Sequence, residues 1–112
     1  MLKVTFTAED GKLTLSLDGH AGQANNGHDI VCSACSILAY TVAQVVKFEA
    51  EKGHLKSDPT IDLGSGDAVI SCEPKEENYA DILKAFYVAD VGYTLLAHNY
   101  PQFVDVKQFG ES

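Results

Sequence analysis

Hydrophobic and polar positions alternate in two segments near the start of the chain. In residues 2–8 the apolar positions are the even ones, and in residues 13–18 they are the odd ones. A period of two residues predicts a strand that buries one face. The Asp10-Gly11 pair between the two segments is typical of a tight turn, so we predict a β-hairpin.

The middle of the chain has a different pattern. Residues 19–28 hold three glycines and two asparagines with no regular period, which predicts a loop. The stretch from Ile30 to Lys52 is apolar nearly all round for most of its length. This pattern predicts a long helix that is buried on more than one side. Asp29 is suited to cap that helix and Gly53 to end it.

The second half repeats the order of two strands and a helix. Residues 60–64 and 67–73 predict a second hairpin, and residues 76–98 carry the apolar stripe of an amphipathic helix. A short strand is expected within residues 102–109. The order ββαββα predicts an α+β fold, a two-layer sandwich with an antiparallel or mixed sheet and both helices on one face. The length is that of one domain, residues 1–112.

Charge and hydropathy exclude several classes of protein. The net charge of −8 argues against direct binding of nucleic acid and favours attraction of a basic partner. The N-terminus has neither a long apolar core nor a small-residue cleavage site. The most apolar run, from Ile30 to Val46, is interrupted by polar residues and is expected to be too short and too polar to span a bilayer. We therefore expect a cytosolic protein without a membrane partner.

The three cysteines carry the candidate chemistry. Their odd number predicts thiols rather than a disulfide framework for Cys32, Cys35 and Cys72. Cys32 falls in the first turn of the predicted helix, where unpaired N–H groups and the helix dipole favour a thiolate. His20 follows the second strand and could serve Cys32 as a general base if the strand end abuts the helix start. The N–H groups near residues 31–33 could then hold an oxyanion.

Three other interpretations stay open on the residues alone. Cysteines on an apolar helix are often small core residues, and the chain would then be a non-enzymatic dimeric scaffold. The segment Cys32-Ser33-Ala34-Cys35 is a C-x-x-C at a helix N-terminus, as in thiol-disulfide oxidoreductases, although a Gly/Asn loop precedes it in place of a strand. His20 with both cysteines could instead bind zinc, although Gly22 stands where deaminases carry a glutamate.

Two segments of the loop and helix together resemble a known family signature. Gly19-His20-Ala21, followed by Gly27-His28-Asp29-Ile30-Val31-Cys32-Ser33-Ala34 and Ser36, is similar to the signature of the bacterial ribosomal-processing cysteine proteases. The length, the opening hairpin and the two long helices also match, so the resemblance covers the whole chain. One position departs from the pattern, because Cys35 stands where the family usually has alanine or valine.

The resemblance implies a function and a set of site residues. It implies an endopeptidase that removes the N-terminal extension of a large-subunit ribosomal protein by cutting after a pair of aromatic residues. It also implies a homodimer with the long helix at or near the interface, and neither a cofactor nor a metal. The residues carried over are Cys32 and His20 as catalytic residues, Gly19, Asp29 and Ser36 as supporting residues, and Gly22 and Gly27 in the substrate-binding loop.

Overall fold

The computed structural model describes residues 1–19, 28–64 and 67–111, and they form the predicted two-layer α+β sandwich. The side chains of His28 and Asp29 are outside this description. The elements in chain order are β1 (Leu2–Glu9), β2 (Lys12–Asp18), α1 (His28–Glu51), β3 (Thr60–Leu63), β4 (Asp67–Cys72), α2 (Glu76–Asn99) and β5 (Val104–Lys107). The predicted order ββαββα is confirmed, and the short C-terminal strand follows it.

The five strands form one mixed sheet in the order β3-β4-β2-β1-β5. Strand β2 pairs antiparallel with both β1 and β4, and β3 pairs antiparallel with β4. Strand β5 instead pairs in parallel with β1 at the edge of the sheet. Strands β4 and β5 run in the same direction with β2 and β1 between them, and α2 supplies the crossover connection from β4 to β5.

The first hairpin sets the register of the central strands. Asp10 and Gly11 have φ angles of 52° and 80°, the left-handed values that a two-residue primed turn requires. Glu9 therefore lies opposite Lys12, and Phe6 lies opposite Leu15. This register places the apolar side chains of both strands on the same face of the sheet.

The core lies between that face and the two helices. Its largest fully buried side chains come from both layers: Tyr93, Phe6, Phe86, Leu13, Leu15, Ile70, Ile82, Val4, Val31, Val46 and Val104. The opposite face of the sheet is mostly polar, and there Thr14 and Ser71 share a hydrogen bond of 3.0 Å. The helices therefore cover one face only, as the pattern predicts.

The ends of α1 differ in how well the sequence locates them. The helix begins at His28, so Asp29 lies within the first turn and the prediction that it precedes the helix as a cap is wrong. A carboxylate is also favoured inside a first turn, so the residue type does not distinguish the two positions.

At the C-terminal end of α1, Gly53 has φ 75°, and the N–H groups of Gly53 and His54 donate to the carbonyls of Ala50 and Glu49. This is a glycine-terminated Schellman ending, as expected.

The expectation that the apolar run of α1 is too short and too polar to span a bilayer also needs correction. The part of α1 from Ile30 to Glu51 has 22 residues and contains an 18-residue window with a mean hydropathy of 1.6, so by length and composition it could cross a membrane. The core helix of a globular protein passes the same test. Here α1 packs Val31, Val42 and Val46 into the sandwich core. Length and composition are therefore weak evidence for a membrane span.

Candidate active site

A small cavity lies where the N-terminal half of α1 meets one end of the sheet. Its volume is about 150 Å³. The start of β1, the end of β2 and the β3–β4 hairpin supply one side of the wall, and α1 supplies the other. The lining residues are Leu2, Leu17, Gly19, Cys32, Cys35, Ser36, Ala39, Tyr40, Leu63, Gly64, Asp67 and Ala68.

Three of the predicted site residues meet at this cavity. Cys32 is the fifth residue of α1 and is half-buried, so its thiol is neither sealed in the core nor fully solvated. Ser36 lies one helical turn further along the same wall, and Gly19 approaches from the end of β2. The structure thus brings the end of the second strand to the start of the long helix.

Gly19 occupies a position that only glycine fits. Its φ angle is 95°, and a Cβ atom built there would lie 2.8 Å from the carbonyl oxygen of Met1. The chain therefore turns sharply at the cavity wall, immediately before His20 in sequence. The predicted site residues His20, Gly22 and Gly27 lie outside the described residues, as does the side chain of Asp29.

Comparison with known proteins adds to this geometry. Residues 1–105 match the family model of cysteine protease Prp. The chain belongs to this family. As a member of this family it is a cysteine protease. A separate comparison with curated protein sequences found no match.

Several solved structures are similar to almost the whole length of this chain. SMU.848 from Streptococcus mutans is 29% identical, with a TM-score of 0.68 over 97% of this chain and 94% of that one. The ribosomal processing protease Prp from S. aureus with a covalently linked product peptide is 22% identical, with a TM-score of 0.70 over 96% and 99% of the two chains. The same S. aureus protein with a substrate peptide is 20% identical, with a TM-score of 0.69 over the same shares. The two S. aureus structures establish the likeness of fold.

Within this Prp-family site, Cys35 has a different environment from Cys32. Both lie on α1 and neither is in a disulfide, but Cys35 points inward and is buried. Burial, with a further contribution from nearby Cys32, raises the pKa of Cys35 to about 12 from an ordinary value of 9.0. A thiol with that pKa stays protonated at neutral pH, so Cys35 is suited to packing and not to nucleophilic attack.

The third cysteine, Cys72, lies at the end of β4, near the C-terminal end of α1. Burial and the charge of Glu49 raise the pKa of Cys72 to about 12. Glu49 also contacts the Nδ1 atom of His54 at 2.9 Å. His54 is half-buried, and its carbonyl accepts a hydrogen bond from the Lys75 N–H just after β4.

Among the side chains that the structure describes, no three of the His, Cys, Asp or Glu residues are grouped so that they could hold a metal ion. None of the three cysteines is in a disulfide, as their odd number predicts. The two candidate zinc ligands Cys32 and Cys35 lie within the described part of the chain, whereas the candidate ligand His20 does not.

Several lining residues were not identified from the sequence. Tyr40 follows Cys32 by eight residues, which is close to two helical turns, so helical spacing from Cys32 was a usable signal for it. Leu2, Leu63 and Ala68 come from three different strands. Their place beside Cys32 depends on the strand order β3-β4-β2-β1, which no local pattern specifies.

Proposed function

We propose that Cys32 is the nucleophile of an endopeptidase that removes the N-terminal extension of a large-subunit ribosomal protein. The observation that carries this proposal is the half-buried thiol of Cys32 at the wall of a cavity, in a chain of the cysteine protease Prp family. Cys35 and Cys72 are buried thiols with raised pKa values, which leaves Cys32 as the cysteine suited to attack.

The proposed chemistry is acyl transfer with His20 as the general base. His20 accepts the thiol proton of Cys32, and the thiolate attacks the scissile carbonyl carbon. N–H groups in the first turn of α1 stabilise the oxyanion. The imidazolium of His20 then gives its proton to the leaving amine, and water hydrolyses the thioester. The position of Gly19 in the cavity wall supports this assignment, because His20 is the next residue in the chain.

The cavity walls support cleavage after an aromatic residue. Leucine and alanine side chains from both layers line it, and the half-exposed ring of Tyr40 stands at its edge: Leu2, Leu17, Leu63, Ala39, Ala68 and Tyr40. An apolar pocket of this size suits one side chain of the substrate rather than a large ligand. An aromatic ring gains most from such a site, because it buries a large apolar area with few torsions to order.

The charge of the chain suits a ribosomal-protein substrate in the cytosol. The net charge of −8 would attract a basic segment over several ångströms of solvent and raise the rate of encounter. Ribosomal proteins bind RNA phosphates through lysine and arginine, so a tail of such a protein is basic. No direct contact with nucleic acid or membrane belongs to this proposal.

The outer faces of the two helices support a homodimer. Leu38 and Gly92 lie against each other, so α1 and α2 present one joint surface. That surface exposes many apolar side chains: Ile30, Ile37, Phe48, Tyr87, Val88, Val91 and Leu95. Ile37 is 60% and Val88 is 62% exposed in the single chain. Several exposed apolar side chains on two adjoining helices are typical of a protein interface, and a second copy of the chain would bury them.

The dimer can be tested by sedimentation velocity. The wild type is expected to sediment as a dimer, and Ile37→Lys as a monomer, because a lysine on that surface would be buried without a partner. Thr7→Lys on the exposed face of the sheet is the matched control and should leave the dimer intact. A monomeric wild type would contradict this part of the proposal.

The proposed activity is tested with a synthetic peptide that spans the ribosomal-protein extension. Mass spectrometry should find a single cut after the aromatic pair with the wild type, and no cut with Cys32→Ser or His20→Ala. A peptide with both aromatic residues replaced by alanine is the specificity control and should resist cleavage. Cleavage of both peptides at equal rates would contradict the aromatic specificity, and no cleavage by the folded wild type would contradict the proposed substrate.

A further inference from the structure

Tyr93 connects α2 to the helix that carries Cys32. Its side chain has no exposed area, and its hydroxyl donates a hydrogen bond of 2.8 Å to the backbone carbonyl of Cys35. Cys35 lies in the turn that follows Cys32 on α1. The contact therefore joins the C-terminal half of α2 to the N-terminal end of α1 that carries Cys32.

The Tyr93 hydroxyl needs this hydrogen bond more than the carbonyl of Cys35 does. In a regular helix the carbonyl of Cys35 already accepts an N–H from the residue four positions later. The tyrosine hydroxyl, in contrast, depends on this carbonyl, because a buried hydroxyl without a partner is costly. Burial raises the pKa of Tyr93 well above its ordinary value, so the hydroxyl keeps its proton and remains a donor.

Neighbouring contacts fix the position of that hydroxyl. The rings of Tyr93 and Phe6 pack with their centroids 5.9 Å apart, which holds the tyrosine against β1. At the adjacent position, a Cβ atom on Gly92 would lie 3.1 Å from the Leu38 side chain. The two helices thus cross closely at this point. The hydroxyl is held by the sheet on one side and by the close crossing on the other.

We propose that Tyr93 is a positioning residue for Cys32. Its hydroxyl fixes the rotation and axial position of the first turns of α1, and so it aims the thiol of Cys32 into the cavity and orients the N–H groups that stabilise the thiolate. This proposal rests on the proposed role of Cys32 as nucleophile. Small displacements of a reacting group lower the rate steeply, so the hydroxyl affects catalysis although it never touches the substrate.

The test is Tyr93→Phe, which removes the hydroxyl and keeps the ring. Alkylation of Cys32 by iodoacetamide is followed by peptide mapping, and peptide cleavage is followed by steady-state kinetics. We expect the alkylation rate of Cys32 and the kcat to fall by about tenfold, with KM within about twofold of the wild type. A loss of folded protein would also lower the apparent kcat at unchanged KM, but it would lower the amplitude of the fast alkylation of Cys32 and leave its rate constant unchanged.

Ser71→Ala is the matched control. It also removes a buried hydroxyl from a hydrogen bond, the one shared with Thr14 on the far face of the sheet. It should lower the urea midpoint about as much as Tyr93→Phe and leave Cys32 alkylation and kcat unchanged.

The outcomes distinguish a failure of the positioning role of Tyr93 from a failure of the nucleophile assignment. If Cys32 of the wild type does not react faster than Cys72, the nucleophile assignment fails and the positioning role fails with it. If wild-type Cys32 reacts fast and Tyr93→Phe reacts at the same rate with the same kcat, the nucleophile stands and the positioning role of Tyr93 is overturned. Equal losses in Tyr93→Phe and Ser71→Ala would overturn it as well.

Discussion

The two ends of α1 each lie beside a cysteine, and the two cysteines have opposite environments. At the N-terminal end, Cys32 is half-buried and faces a cavity. At the C-terminal end, Cys72 is buried next to the carboxylate of Glu49, which is itself paired with His54. The thiol at the first end borders a cavity, whereas burial and the charge of Glu49 raise the pKa of the thiol at the second. A histidine in the neighbourhood is therefore not enough to make a cysteine reactive.

Cys35 sharpens this comparison because it shares a helix with Cys32. The two residues are three positions apart, but Cys35 points into the core and its pKa is raised to about 12. Both residues lie near the N-terminal end of α1, so burial is the feature that distinguishes Cys35 from Cys32. The environment of a thiol, more than its place in the sequence, decides its chemistry.

The largest expected effect is the contrast between Cys32→Ala and Cys72→Ala in peptide cleavage. Removal of a nucleophile should lower kcat by about three orders of magnitude or more, while the variant at the other end of α1 should keep kcat near the wild-type value. Both variants should show the same far-UV circular dichroism as the wild type. A fully active Cys32→Ala would refute the assignment of the nucleophile.

The next largest effect concerns selective alkylation of the three thiols. At pH 7 a thiol with a pKa of about 12 is ionised in about one molecule in 10⁵, so Cys35 and Cys72 should be nearly inert to iodoacetamide. Cys32 should be modified alone in the folded protein, and all three thiols should react in concentrated urea. Rapid modification of Cys72 under native conditions would contradict the claim that burial keeps its thiol protonated and unreactive.

A third effect is a loss of stability at high pH. The folded pKa values of Cys35 and Cys72 are raised to about 12 above the ordinary 9.0, so the unfolded chain loses these protons first. The stabilisation is fully present below pH 9 and is lost as pH rises toward 12. Each thiol should lower the free energy of unfolding by about 1.4 kcal/mol per pH unit within that window.

Urea titrations at several alkaline pH values measure this slope. Cys72→Ala should have a shallower slope than the wild type, and Cys32→Ala serves as the control for removal of a thiol. If the slope of Cys72→Ala equals that of the wild type, burial does not hold the proton of Cys72.

The smallest expected effect is that of Glu49→Gln. The carboxylate pairs with a half-buried His54 at the surface end of α1, so its loss should change the free energy of unfolding by less than about 1 kcal/mol. Cleavage activity should be unchanged, because the change lies at the end of α1 remote from Cys32. A clear loss of kcat in this variant would show that the two ends of α1 are coupled.

Local patterns were sufficient for most of the fold. Periods of two residues located the strand pairs, and the Asp10-Gly11 turn and the Gly53 ending appear where the residue types predicted them. The start of α1 was misplaced, because Asp29 is equally favourable before a helix and in its first turn. The parallel pairing of β5 with β1 joins distant segments and has no local signal.

The candidate site was only partly accessible from the sequence. Gly19, Cys32 and Ser36 were chosen on motif and spacing, and they line the same cavity. The hydrogen bond from Tyr93 to the carbonyl of Cys35 spans 58 positions of the chain, so it depends on how the helices cross. The pairing of Glu49 with His54 was missed because a turn reverses the chain between them.

The most direct test of the central claim is to trap the acyl-enzyme. The wild type is mixed with the substrate peptide, quenched in acid within one turnover, digested with pepsin at low pH and analysed by mass spectrometry. We expect an added acyl mass, equal to the N-terminal product less one water, on the fragment that contains Cys32, and no such mass in Cys32→Ala. An acyl mass on the fragment with Cys72, or cleavage by Cys32→Ala at the wild-type rate, would contradict it.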